Sequence, residues 1–152
     1  MANAYHASGS VDGVYRIGCV MQRKRVECAL MLKAAEAEGA IPATYEEIGA
    51  NADTVFLSLP NGGIVKNVLF GENGLSKYLK EGSVVVDTSS ITPVEAQYCF
   101  NELAKSGVGY LDCPVSGGEP GAVAGTLAFM AGGTQEDFDK VRPDFEILGS
   151  SS

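Results

Sequence analysis

The sequence predicts an α/β fold, a doubly wound and mostly parallel sheet, on three observations. Short β-branched apolar runs alternate with helical stretches along most of the chain. Two of those runs, residues 54–59 and 83–87, are nearly continuous in apolar side chains, as strands covered on both faces are. Complete helix-start signals flank them: Thr44-Tyr45-Glu46-Glu47 fits a capping box, and Thr92-Pro93-Val94-Glu95 adds proline at the first helical position.

Taken in order, residues 1–13 are small and polar without periodicity, and are expected to be poorly ordered or an added segment. Residues 14–21 suit a strand. A basic turn leads into residues 26–38, rich in alanine and leucine and stopped by Gly39, which suits a helix. The Thr44 box predicts a short helix ending near residues 49–51. Residues 54–59 form the next strand, ended by Pro60, and residues 59–63 are equally natural as a loop. Short helices are expected over 63–70 and 75–79, and a buried strand over 83–87. The Thr92 helix places Ala96, Cys99, Phe100 and Leu103 on one face and ends at Ser106-Gly107. Residues 109–112 form a strand, residues 119–125 tolerate a helix, and residues 127–131 are a second apolar run closed by Gly132-Gly133. Thr134, with Asp137 three residues on, opens a last helix over 135–148 that Pro143 should interrupt.

The 152 residues are one domain's worth. A net charge of −8 disfavours nucleic acid and anionic membrane surfaces as partners. No apolar run approaches the roughly 20 residues that span a bilayer. Four cysteines form no C-x-x-C pair and His6 is the single histidine, so no zinc set is expected. Free thiols point to a reducing cytoplasm. Cys113 reads as a small buried residue rather than a nucleophile.

Three motifs at strand ends carry the chemistry: Leu57-Ser58-Leu59-Pro60-Asn61, Asp87-Thr88-Ser89-Ser90-Ile91-Thr92-Pro93 and Asp112-Cys113-Pro114-Val115-Ser116-Gly117-Gly118. In open parallel sheets, ligands bind beyond the carboxyl ends of the strands. In kind and order the motifs resemble those of the β-hydroxyacid dehydrogenases, the family of 3-hydroxyisobutyrate dehydrogenase and 2-hydroxy-3-oxopropionate reductase, over roughly residues 35–150. The resemblance implies a Rossmann-like NAD- or NADP-binding domain over residues 14–152. By it Leu59, Pro60 and Ser90 would contact the cofactor, and Gln22 or Arg23 is a guess for the usual acidic residue or the adenosine 2′-phosphate reader. Ser116, Gly117 and Gly118 would hold the carboxylate of a small hydroxy acid or aldehyde acid, through consecutive amides at a turn. A homo-oligomer is a further possibility. Read apart from the resemblance, Ser89-Ser90 could be only a turn and cap, and Leu59-Pro60-Asn61 only a loop.

Two departures bound the expectation. No G-x-G-x-x-G occurs, so residues 14–22 are either a damaged first strand and turn or a second strand whose predecessor is missing. None of the seven lysines matches the family's proton-transfer lysine, which sits in a helical domain this sequence does not contain. No catalytic residue is therefore identified, and the isolated chain is expected to be inactive. The other reading is a non-catalytic association domain.

Overall fold

The computed structural model describes residues 3–8, 16–21 and 41–149. Its elements are β1 (Asn3–Ser8), β2 (Arg16–Met21), β3 (Ile41–Ala43), α1 (Tyr45–Asn51), β4 (Thr54–Ser58), α2 (Gly62–Phe70) and a 3-10 turn at Leu75–Lys77. They continue with β5 (Val84–Asp87), α3 (Pro93–Ala104), β6 (Gly109–Asp112), β7 (Val115–Ser116), α4 (Gly118–Ala124), β8 (Ala128–Phe129) and α5 (Gln135–Leu148). Six strands form one sheet in the order β3-β1-β2-β4-β5-β6, and β7 and β8 form a two-stranded hairpin. The block β2-β4-β5-β6 is parallel, as expected, whereas β1 runs antiparallel to both its neighbours.

Within residues 1–13, Asn3–Ser8 forms β1. Asn3–Ser8 has little intrinsic strand preference, but ladders to β2 on one side and β3 on the other satisfy its backbone groups. The helix expected over 26–38, and with it Gln22 and Arg23, lies outside the described residues.

Both helix-start boxes form. Thr44 accepts from the Glu47 amide at 3.2 Å while Glu47 accepts from the Thr44 amide at 2.7 Å. Thr92 and Glu95 repeat the pattern at 3.4 and 3.1 Å. The expected loop after β4 is shorter than the residue types suggested. Asn61 caps α2, its side chain accepting from the Ile64 amide at 3.0 Å, and the helix begins at Gly62. Glycine fits there because a Cβ would run into the Glu95 carboxylate, which also pairs with Lys66 at 3.2 Å. The two helix starts therefore sit against each other. Only Leu75–Lys77 of the second short helix forms, as a single 3-10 turn. α5 is not broken at Pro143: it continues to Leu148, giving up only the bond a proline cannot make to the carbonyl four residues back.

Alternating residues of the central strands feed two separate cores. Val55, Leu57, Val85 and Tyr110 face α1, α2 and α3, packing with Ile48, Val65, Leu69, Cys99 and Leu103. Phe56, Val84, Val86 and Leu111 face the other way, against Phe129, Val141 and Phe145. Of the face expected on α3, Ala96, Cys99 and Leu103 are buried and Phe100 is half-buried.

Asp144 is the exception in this second layer. Its side chain is buried and bonds Thr54, but Oδ2 has no partner among the described residues. Burial raises its pKa above the ordinary carboxylate value. A group with a raised folded pKa takes up its proton more readily folded than unfolded, so its penalty is greatest above the folded pKa and fades as pH falls toward the unfolded value. Asp144→Asn keeps the shape and the Thr54 bond but cannot ionise. It should melt higher than wild type at pH 8, with the gain shrinking to nothing near pH 4. Equal melting temperatures across that range in paired thermal scans would contradict the account.

Candidate functional site

The parallel register sets the site. Leu57 of β4 lies beside Asp87 of β5, and Asp87 beside Asp112 of β6, so all three motifs leave the sheet at the same carboxyl edge.

The first two motifs are bonded to each other. Thr88 donates to the Leu57 carbonyl from its amide at 2.8 Å and from its hydroxyl at 2.7 Å. The Leu59 amide donates to Ser89 Oγ at 2.9 Å, in a buried position. Asp87, wholly buried, accepts from the Ser89 amide at 2.9 Å through Oδ1 and from the Tyr110 hydroxyl at 2.8 Å through Oδ2. The Ser89 hydroxyl also bonds this carboxylate. Desolvation pushes Asp87 up, against the three bonds that favour its ionised form, while burial and the neighbouring carboxylate push the Tyr110 hydroxyl up as well. Asp112, half-buried at the adjacent register position, is raised by its own desolvation and then by the charge of Asp87.

Of the residues expected to meet the cofactor, Leu59 is buried, with its amide held by Ser89, while Pro60 and Ser90 are exposed at the edge. The structure thus brings Leu59, Pro60 and Ser90 onto two joined loops. Arg23 lies outside the described residues. Residues 87 and 89, which build the joint, are the ones the motif reading passed over. Their signal was present: an aspartate whose side chain binds the amide two residues on is the Asx-turn pattern.

The third motif forms the hairpin. Ser116 ends β7, Gly117 takes φ +130° and Gly118 φ +57°, and α4 follows, closed by Gly125 at φ +65°. Side chains rarely adopt the Gly117 and Gly118 conformations, which explains the glycine pair. Ser116, Gly117 and Gly118 are all exposed. Cys113 is buried, its thiol pushed up to about 12 by desolvation and then by Asp112, so it stays protonated and is no nucleophile. Two open clefts, of about 620 and 320 Å³, share Asp112, Gly132, Gly133 and Thr134, and the larger of them also meets Pro114 of the third motif and the smaller Pro93 of the second. Neither is lined by Leu59, Pro60, Ser90 or residues 116–118.

Among the described residues, no group of histidine, cysteine and acidic side chains is placed to hold a metal ion, and no helix is long and apolar enough to cross a membrane. The joined loops after β4 and β5 present an exposed proline and serine on a bonded frame at the carboxyl edge, where open parallel sheets take their ligands. The glycine-rich pyrophosphate turn has no counterpart in the sequence.

Known proteins match this architecture. The chain is 43% identical over 108 residues to 2-hydroxy-3-oxopropionate reductase of Escherichia coli, covering 71% of this chain and 37% of that protein. The structure of 3-hydroxyisobutyrate dehydrogenase from Salmonella typhimurium superposes with a TM-score of 0.74 at 30% identity, covering 88% of this chain and 45% of that one. A structure described as Psf3 in complex with NADP+ and 2-OPP gives a TM-score of 0.77 at 28% identity, covering 86% and 46%. The chain thus spans less than half the length of each. Residues 17–152 match the family described as the NAD binding domain of 6-phosphogluconate dehydrogenase. With that match over nearly the whole chain, on a parallel sheet whose strand ends carry the three motifs in register, the protein belongs to this family of NAD-binding domains.

Proposed function

We propose that this chain is the cofactor-binding part of an NAD(P)-dependent oxidoreductase acting between a small hydroxy acid and the corresponding aldehyde acid. The observation that carries this reading is the bonded frame at the carboxyl edge, where the Leu59 amide and Ser89 Oγ join two loops. A nicotinamide held against Leu59, Pro60 and Ser90 supplies or takes up the hydride. Ser116, Gly117 and Gly118, all exposed, orient the acid, the Ser116 hydroxyl and the glycine backbone meeting its carboxylate where no glycine Cβ intervenes. The proton that accompanies the hydride is assigned to none of the described residues. Free, buried Cys99 and Cys113 suit a reducing, cytoplasmic setting. Exposed Val94, Val123 and Met130 suit association with a second copy.

Nicotinamide fluorescence on titrating the purified chain with NADH and NADPH tests the reading, with and without tartronate or 3-hydroxyisobutyrate. Saturable binding of at least one cofactor is expected. No binding at millimolar cofactor, by a chain that melts cooperatively, would overturn it in favour of the association domain. Gly117→Val should abolish the acid's effect while leaving cofactor binding and the cooperative melt in place, because its strain falls on an exposed turn. An acid response as in wild type would refute the assignment of that turn.

A further inference from the structure

We propose that Ser89 is a positioning residue for the cofactor: its buried hydroxyl fixes the spacing between the loop of Leu59-Pro60 and the loop of Ser90. This deepens the proposed function and rests on that reading.

The geometry is specific to Ser89. Its Oγ accepts from the Leu59 amide at 2.9 Å, its own amide donates to Asp87 Oδ1 at 2.9 Å, and its hydroxyl bonds the same carboxylate. Asp87 is fixed in turn by the Tyr110 hydroxyl on Oδ2 at 2.8 Å and by its backbone carbonyl, which accepts from the Cys113 amide at 2.8 Å. Position is therefore transmitted from β6 through Asp87 and Ser89 to Leu59. Ser90, one residue on, is exposed and free to face a ligand. A hydroxyl is suited to the joint because it accepts the Leu59 proton and donates its own to the carboxylate at once. The Thr88 bonds hold the end of β4 but stop at Leu57, so Ser89 is the tie that reaches the loop itself.

The test compares wild type, Ser89→Ala and Ser89→Thr by NADH fluorescence titration, by amide hydrogen exchange at Leu59 and by thermal melting. Ser89→Ala should weaken NADH binding about ten-fold, the scale of one lost hydrogen bond, and speed Leu59 exchange while still melting cooperatively. Ser89→Thr, which keeps the hydroxyl, should restore both. If wild type binds NADH and Ser89→Ala binds it equally, the inference fails while the proposed function stands. If Ser89→Ala weakens binding but Leu59 exchange is unchanged, or Ser89→Thr restores neither, the inference fails again. If wild type itself does not bind, the functional reading fails and takes this role with it.

Discussion

Phe145→Ala is expected to cost about 3–5 kcal/mol in urea denaturation, the range for truncating a fully buried aromatic side chain. The ring is wholly buried and meets three others: Phe129 with centroids 4.8 Å apart, Phe138 at 5.7 Å and Phe56 at 6.3 Å in an edge-to-face arrangement. Phe56 belongs to β4, Phe129 to β8 and Phe138 to α5 itself, so one side chain ties the last helix to both the sheet and the hairpin. The cavity cannot be filled by collapse, because its walls belong to three elements with independent backbones. A midpoint shift worth less than about 1 kcal/mol would mean that α5 does not close the second core as described.

Asp87→Ala should be nearly as severe, near 3 kcal/mol, through a different mechanism. It orphans the Tyr110 hydroxyl and the Ser89 amide inside the protein, and each buried donor left without a partner costs roughly 1–3 kcal/mol. Relief of the desolvated charge offsets part of this sum. Asp87→Asn is the control: its carbonyl can still accept from Ser89, and its amide can donate to the Tyr110 oxygen, so most stability should survive. Denaturation curves of the three chains decide the matter, and Asp87→Ala melting with wild type would show that the network carries no stability.

The fold was readable where a residue type has one physical use. Thr92-Pro93-Val94-Glu95 could hardly be anything but a helix start, and the valines of β5 fit only a strand covered on both faces. β1 was not readable, since Asn3–Ser8 owes its conformation to ladders with β2 and β3 rather than to its own residue types. Pro143 misled because helix breaking is a local rule, and the packing of Val141 and Phe145 on either side of it outweighs one lost bond. At the site, motifs pointed to exposed residues such as Pro60, Ser90 and Ser116. The buried frame beneath them starts from the local Asp87–Ser89 turn, but its ties to Tyr110 and Leu59 depend on which residues of separate strands share a register, and no single stretch encodes those.

The two cores also close at different moments of synthesis. The side of the sheet lined by Val55, Leu57 and Val85 is covered by helices encoded between residues 45 and 104, close to their strands. Among the described residues, the opposite side, with Phe56, Val84, Val86 and Leu111, is packed by Val141 and Phe145. At roughly 5–20 residues per second, synthesis delivers Phe145 several seconds after Phe56. Until then the contacts of Phe145 with Phe56 and Phe129 are unmade, and the last helix is the piece that joins sheet and hairpin into one layer.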